Sequence, residues 1–516
     1  MPPSHKYIPL LLPPGMARNG TPYDTPGRWW DANLMRWHAG SLRPVGGWEK
    51  LTPNPFDSPA RKLFAWRSNE IDRSMLVGTD YKLYVDRSGT ADPWLDITPV
   101  GFLPPVATIT GGYGTGPYGM DFYGTPRDAA TSTGAYSNFA YWSMDNWGED
   151  VLITANTDGR VWHYVHDNAT PGPPVEIVAS AGEVPTMIAS LIVTEQRHLM
   201  LIRCSMDGTE YPYRIAWSSS EDFTDWDFTS ITNSAGWLDL QATSPLMCAV
   251  HVREGILVFS ATEVFLVTYV AGPYYYGATK IAEMKMMNPY GIAPFMGNAL
   301  WATDRGFHYY TSGYVNPINC EFFDEIIAEI DPGWGPMRVT AGGNGVFQEI
   351  WFSYPTIGNS ENNKYVIFHA VEGWFVWGYM GRSAILAAGT WPQPIMGAAD
   401  NHLYLHEKGW TASGVPLREQ RFVETGALGI AEGTQTVEVT SALIGSSSPG
   451  AFDIKFFSRF APNGAERTFG PYMERPDGYT DTRVSAREAR VRLAMKVDAN
   501  HALGQTRVLV RAAGTR

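Results

Sequence analysis

Cysteine is nearly missing from this chain of 516 residues, which holds three, Cys204, Cys248 and Cys320. They lie too far apart for a CxxC metal site or a disulfide framework, so they read as buried thiols that pack like small apolar residues. Charge is scarce as well, at 18% of residues, and its balance of 39 basic to 52 acidic side chains gives a net −13. That sign excludes a protein whose whole surface grips nucleic acid. Long apolar runs are also missing. The N-terminal IPLLLPP carries one basic residue before it, Lys6, and is stopped by prolines, too short for a signal core or a bilayer span, and no later segment reaches 18 apolar residues. The expectation is a soluble protein made in a cytoplasm without an export signal.

Catalytic signatures are missing too. There is no HExxH, GxSxG, SxxK, DFG-type set or P-loop, and the eleven histidines are scattered. His163 and His166 share a short segment with no neighbouring cysteine and read as structural. The sequence therefore leads to no expected catalytic residue, metal or cofactor. The most acidic cluster, SSSEDFTDWDF at 218–228, offers Glu221, Asp222, Asp225 and Asp227. It faintly resembles the Asp-box turn of sialidase-type propellers, but that turn wants a Gly between Asp and Trp where Phe223-Thr224-Asp225 stand here, and it is itself structural. A glycosidase would need two of these carboxylates roughly 5–9.5 Å apart across a cleft.

What is abundant is glycine (52), tryptophan (19) and tyrosine (26), a composition of strands joined by tight turns. The most patterned stretch is 255–313. There, a short apolar strand (256–259; 299–301), a polar turn (Ser260-Ala261-Thr262-Glu263; Thr303-Asp304-Arg305-Gly306) and an aromatic strand (264–269; 307–310) occur twice. The same grammar returns at 62–99, at 138–167 with the hairpin signal Thr157-Asp158-Gly159, at 190–217, at 349–379 and at 394–409. These make about seven units between 61 and 430, spaced too unevenly for a strict WD40 or kelch array. The fold expected is all-β: a degenerate β-propeller of six to eight blades over 61–432, with most aromatics filling the wedges between blades.

Three segments stand outside the repeats. Residues 1–60 read as an extended arm, anchored by Arg28, Trp29, Trp30, Arg36, Trp37 and Trp48, either a clasp onto another subunit or a strap on its own domain. A Gly/Tyr-rich insertion at 109–128 offers Tyr113, Tyr118 and Tyr123 to a partner chain or nucleic acid, or is a plain linker. Residues 433–516 alternate with period two and read as a small β-sandwich. This last segment has twelve basic against eight acidic residues, +4, which leaves −17 for the rest. Its Arg483, Arg487, Arg490 and Arg492 form either a docking face or a solvated strand face.

Several blocks together carry a family resemblance: GRWWDANLMRWHAGSLRPVGGW, MLVGTDYKLYV with WLDITP, YGTGPYG with YGTPR, RIAWSSSEDFTDW, the 255–313 stretch, and EIWFSYP with NNKYVIFHAVEGWFVWG. Over about residues 20–380 the chain resembles propeller-containing virion proteins of tailed bacteriophages, above all the tail nozzle, or tubular B-type, proteins of short-tailed phages. The resemblance implies a non-enzymatic subunit, six copies ringed about the tail axis. It would dock on a head-to-tail adaptor, contact tail fibres or spikes, and surround the exit channel for double-stranded DNA without reading its sequence. It also implies no small-molecule substrate, a virion location and assembly in the host cytoplasm. An acidic lumen would let DNA slide where a basic one would hold it. The alternatives are a propeller-type glycan-binding or glycan-hydrolysing tail module and a cellular propeller scaffold.

Overall fold

The computed structural model describes residues 6–18, 20–69, 72–86, 93–105, 139–167, 170–272, 274–333, 335–428, 435–461 and 464–515. Among the described residues, seven sheets succeed one another along the chain, each with its blade strands antiparallel and built outward from an inner strand. Blade 1 runs Lys62–Arg67, Arg73–Gly78, Leu83–Asp86, Trp94–Asp96. Blade 2 runs Trp142–Trp147, Asp150–Ala155, Val161–Tyr164, Val175–Glu176. Blade 3 has Ser190–Val193, Leu199–Met206, Thr209–Trp217, Gly236–Asp239, and blade 4 Leu246–Val252, Gly255–Ser260, Glu263–Tyr269, Tyr276–Glu283. Blade 5 has Ile292–Phe295, Asn298–Ala302, Phe307–Thr311, Tyr314–Ile318, and blade 6 Thr340–Asn344, Glu349–Tyr354, Lys364–His369, Phe375–Gly378. Blade 7 takes Ala384–Leu386, Ile395–Gly397 and Leu403–His406 from the end of the repeat region.

The fourth strand of blade 7 comes from the other end of the chain. Trp48–Lys50 pairs antiparallel with the third strand, His406 opposite Trp48 and Tyr404 opposite Lys50. Each inner strand lies beside the next, and that of blade 7 lies beside that of blade 1, so the ring closes. The all-β propeller is as the sequence leads one to expect, with seven blades.

Second strands explain why the repeats were readable. A strand with a blade on either face is buried on both sides and becomes a continuous apolar run. Accordingly Met75, Leu76 and Val77 in blade 1, Leu257, Val258 and Phe259 in blade 4, and Ile350, Trp351 and Phe352 in blade 6 are all fully buried. Between adjacent blades these side chains form separate clusters, for example Trp66, Leu76 and Val85 of blade 1 with Trp142, Val151 and Ile153 of blade 2. Burying each such side chain contributes about 1.5–3 kcal/mol.

Residues beyond blade 7, joined by two strands from the N-terminal segment, form a two-sheet sandwich. One sheet orders Lys6–Pro9, Arg507–Thr515, Gln435–Leu443 and Tyr479–Ala486. The other orders Trp29–Asn33, Phe422–Thr425, Glu488–Met495, Phe452–Arg459 and Arg467–Met473. Val439, Val484 and Val510 of the first meet Ile454, Val491 and Leu493 of the second in one apolar cluster that continues into blades 5 and 6.

The sandwich thus begins at Phe422 rather than at 433. Residues 1–60 do not lie as a separate arm: they supply an edge strand to each sandwich sheet, a hairpin (Met35–His38 with Ser41–Pro44) and the closing strand of blade 7. The hairpin turn has positive φ at Ala39 and Gly40 (50° and 71°), the geometry of a tight two-residue connection. The insertion 109–128 lies outside the described residues. Among the described residues, no helix is long and apolar enough to cross a membrane.

One crossover is sterically fixed. At Gly381, between blades 6 and 7, an added Cβ would stand 1.7 Å from the Asn362 carbonyl oxygen. Asn362 cannot retreat freely, because its side-chain amide donates to the Arg338 and Arg382 carbonyls at 2.9 and 2.8 Å. Gly381→Ala is expected to destabilise the protein by about 3 kcal/mol, the upper range for overpacking, seen as a lower urea midpoint at unchanged slope.

Candidate functional site

Two groups of buried polar side chains stand out, one in the propeller channel and one at the seam between propeller and sandwich. At the channel mouth stand residues that immediately precede inner strands. Arg61, before blade 1, donates from Nε and Nη2 to Asp80 Oδ2 at 3.0 and 2.8 Å, and from Nη1 and Nη2 to the two Glu361 oxygens at 2.9 Å each. Arg338, before blade 6, shares Glu361 and lies over the Phe139 ring at 3.6 Å. Burial, reinforced by Arg61, lowers Arg338 to about 10. Burial opposes the charge of Arg61 too, but its two carboxylates overcome that and hold it above the usual arginine range. Tyr141 and Tyr290 pack with tilted rings, centres 5.1 Å apart, and Trp142 N–H donates to Tyr290 Oη at 2.6 Å.

Deeper in, the inner strands enclose a cavity of about 390 Å³ lined by residues from all seven blades. Ser143 and Ser190 face each other with Oγ atoms 3.0 Å apart. His251 Nε2 lies 3.0 Å from Asp145 Oδ2, which also accepts from Val193 N–H at 2.8 Å. Lys62 of blade 1 shares the cavity.

The second concentration is the seam. Arg36 of the hairpin is fully buried and pairs with Glu349 of blade 6 at 3.2 Å and with Glu407 after blade 7. Its guanidinium lies 3.9 Å from the Phe347 ring centre. Burial pushes Glu349 up to about 7, with Arg36 pulling the other way. Arg421, wholly buried, donates to the Trp410 carbonyl at 2.8 Å and the Val45 carbonyl at 3.0 Å, and pairs with Asp498 of the sandwich at 3.3 Å. Arg382 Nε donates to His406 Nε2 at 2.9 Å, and Trp48 stacks on that imidazole at 5.5 Å. Arginine suits these places because one planar group satisfies several acceptors at once.

Among the described residues, several of the partner-facing side chains expected from the sequence are held inside the chain. Trp29, Trp30 and Trp37 are buried. Trp29 packs on Trp37 at 5.9 Å, Trp37 on Trp374 at 5.7 Å, and Arg18 sits between Trp30 and Trp377 at 4.4 and 4.1 Å. These three rings are not available to a second chain, and the half-buried Trp48 lies in blade 7. Tyr113, Tyr118 and Tyr123 fall outside the described residues. The four C-terminal arginines do not share one face. Arg483 is exposed on one sheet, whereas Arg490 and Arg492 lie on the other and converge on Glu424. Arg490 also takes Glu466, which accepts from Tyr23 Oη–H at 2.7 Å, and Arg487, half-buried, follows the strand that ends at Ala486.

The acidic loop 218–228 joins the last two strands of blade 3. Asp222, Asp225 and Asp227 each accept a backbone N–H two residues on, at 2.8, 3.1 and 2.9 Å, so they fasten turns. Glu221 pairs with Arg197 at 2.7 Å. His163 meets Asp150, thirteen residues earlier, at 2.8 Å. Among the described residues no three His, Cys, Asp or Glu side chains converge as metal ligands.

Sequence reading missed Arg421, Glu349, Glu407 and the Arg61 network, because a buried charge and an exposed one are written with the same letter. A weak signal existed for Arg36: a cation between Met35 and Trp37, in the middle of an otherwise buried strand.

Another buried polar group, His198, gives a pH signature. Its Nδ1 meets Tyr276 Oη at 2.8 Å and its Nε2 meets Ser234 Oγ at 3.0 Å. Burial lowers it from 6.5 to about 4. The unfolded chain therefore takes a proton near pH 6.5 that the native chain refuses until about 4. Its contribution is complete above 6.5 and lost as pH falls from there through 4. Urea midpoints should fall over that window, and less steeply in His198→Gln.

No family model matches the chain, and no curated protein matches it. Solved structures similar to it include a catalytically inactive virginiamycin B lyase from Staphylococcus aureus with quinupristin (10% identity, TM-score 0.39, covering 69% of this chain and 97% of that one). The Pan2 WD40 domain of Neurospora crassa is another (6%, 0.39, 71% and 95%). A third is BBS1N in complex with ARL6DN (8%, 0.38, 70% and 96%).

Proposed function

We propose that this chain is a structural virion protein of a bacteriophage tail, a nozzle subunit that forms a ring of six copies around the DNA exit channel and acts without catalysis. The observation that carries this reading is the fastening of the two domains. The first fifty residues give strands to both sandwich sheets and to blade 7, and Arg36 and Arg421 bolt the seam from inside. The propeller and the sandwich are therefore one stiff body, as a subunit needs if it is to keep its place while DNA passes. Its excess of acidic residues, net −13, favours passage over retention. In the ring, the head-to-tail adaptor and the fibre or spike proteins would meet surfaces other than the buried tryptophans.

Sedimentation of the purified chain with and without adaptor protein tests the assembly. A species of six times the 57.1 kDa protomer mass is expected. A chain that stays monomeric with and without adaptor, at every concentration, would argue against the ring.

A further inference from the structure

The propeller channel contains a cation that the fold does not neutralise. Lys62 lies on the inner strand of blade 1, next to Arg61. Arg61 is saturated by Asp80 and Glu361. The Lys62 ammonium, by contrast, makes no hydrogen bond or ion pair among the described residues. The carboxylate that acts on it most, Asp145, is already engaged by His251 and by the Val193 N–H. Burial accordingly draws the Lys62 pKa down, and Asp145 restores only part of it.

Lys62 is half-buried on the channel wall, and a counter-charge brought to a cation in such a confined space is worth more than in open water. The space for one exists. The cavity of about 390 Å³ falls in the range of small-molecule sites, and its walls mix apolar side chains with a few converging polar groups, as such sites do. Ser143 and Ser190, on blades 2 and 3, place two hydroxyls in the same cavity.

We propose that the channel cavity binds a small oxyanion, a carboxylate or a phosphate, whose negative oxygens pair with the Lys62 ammonium. The sign follows from the charges present: the carboxylates at the mouth and in the channel already have partners, and the unmatched group is a cation. A metal ion or a polyamine would find no free carboxylate there among the described residues. This site is independent of the proposed structural role and survives its failure.

The test is calorimetric titration of the full chain with inorganic phosphate and, separately, with citrate, which tells the two sources of oxyanion apart. Saturable binding of at least one is expected, weakened tenfold or more in Lys62→Met and retained in Lys62→Arg. As a second readout, reductive methylation of the wild-type protein, followed at Lys62 by mass spectrometry, should slow when the bound anion is present. Absence of binding by both anions overturns the proposal, as does binding unchanged in Lys62→Met. If Lys62→Met does not fold, the methylation readout decides: an unchanged rate at Lys62 overturns the proposal.

Discussion

Deletion of residues 1–50 is expected to abolish cooperative folding. The segment carries Trp29, Trp30 and Trp37, all buried, and removing the side chain of a single buried tryptophan costs about 3–5 kcal/mol. Three such losses together reach the whole stability of an ordinary domain, about 5–15 kcal/mol. Backbone losses come on top. Blade 7 would expose the edge of Leu403–His406, now covered by Trp48–Lys50, and each sandwich sheet would lose an edge strand. An uncovered edge is also a template for aggregation. The expected outcome is an insoluble chain, or one without a sigmoidal urea transition. A milder variant separates blade closure from the lost tryptophans. In Gly47→Ala the new Cβ would meet the Thr411 carbonyl oxygen at 2.4 Å and its nitrogen at 2.6 Å, pushing the closing strand off. Its midpoint should drop while the far-UV spectrum stays β. A truncated chain that unfolds at the wild-type midpoint would refute the interwoven fold.

Arg36→Ala carries the second large effect. It leaves Glu349, fully buried, and Glu407 facing each other without their common cation. Breaking a buried pair in this way costs about 3–5 kcal/mol, because the remaining charge cannot be hydrated. The pH dependence distinguishes this cause from lost packing. Even with Arg36 present, burial holds Glu349 near 7, above its usual 4.5, and removing the cation raises it further. A carboxylate with a raised native pKa favours folding at low pH and loses that contribution as pH rises through the native value. The deficit of Arg36→Ala should therefore be larger at pH 8 than at pH 5. Arg36→Lys should recover part of the loss. Replacing Arg36, Glu349 and Glu407 together by apolar residues of similar volume should recover most of it. Equal deficits at both pH values would point to packing alone.

Both effects arise in regions where the sequence was hardest to read. The blades were legible because their second strands, such as Ile256, Leu257 and Val258, are apolar on both faces and bounded by turn residues. The closing strand was not, because Trp48–Lys50 is three residues long and its sequence, WEK, has no period to detect. Its partner lies more than 350 residues away, and pairing at that distance leaves no local trace. The sandwich boundary slipped for a related reason: Phe422–Thr425 is a short strand that reads as the end of the propeller until its neighbour Glu488–Met495 is seen. The sequence left the arginines of 433–516 open between a docking face and a solvated strand face, because alternation reveals which residues share a side of one strand, but not which sheet each strand joins. Lys62 opened an ordinary strand, KLFAWR, and only ring closure shows that its side chain enters a channel.

Electron microscopy of virions carrying this chain, with a label fused to its C-terminus, tests the structural role most directly. A sixfold ring of labels around the tail axis, below the head and above the distal tip, is the outcome expected. Labels on the head shell or at fibre tips, or no label on the particle, would contradict it.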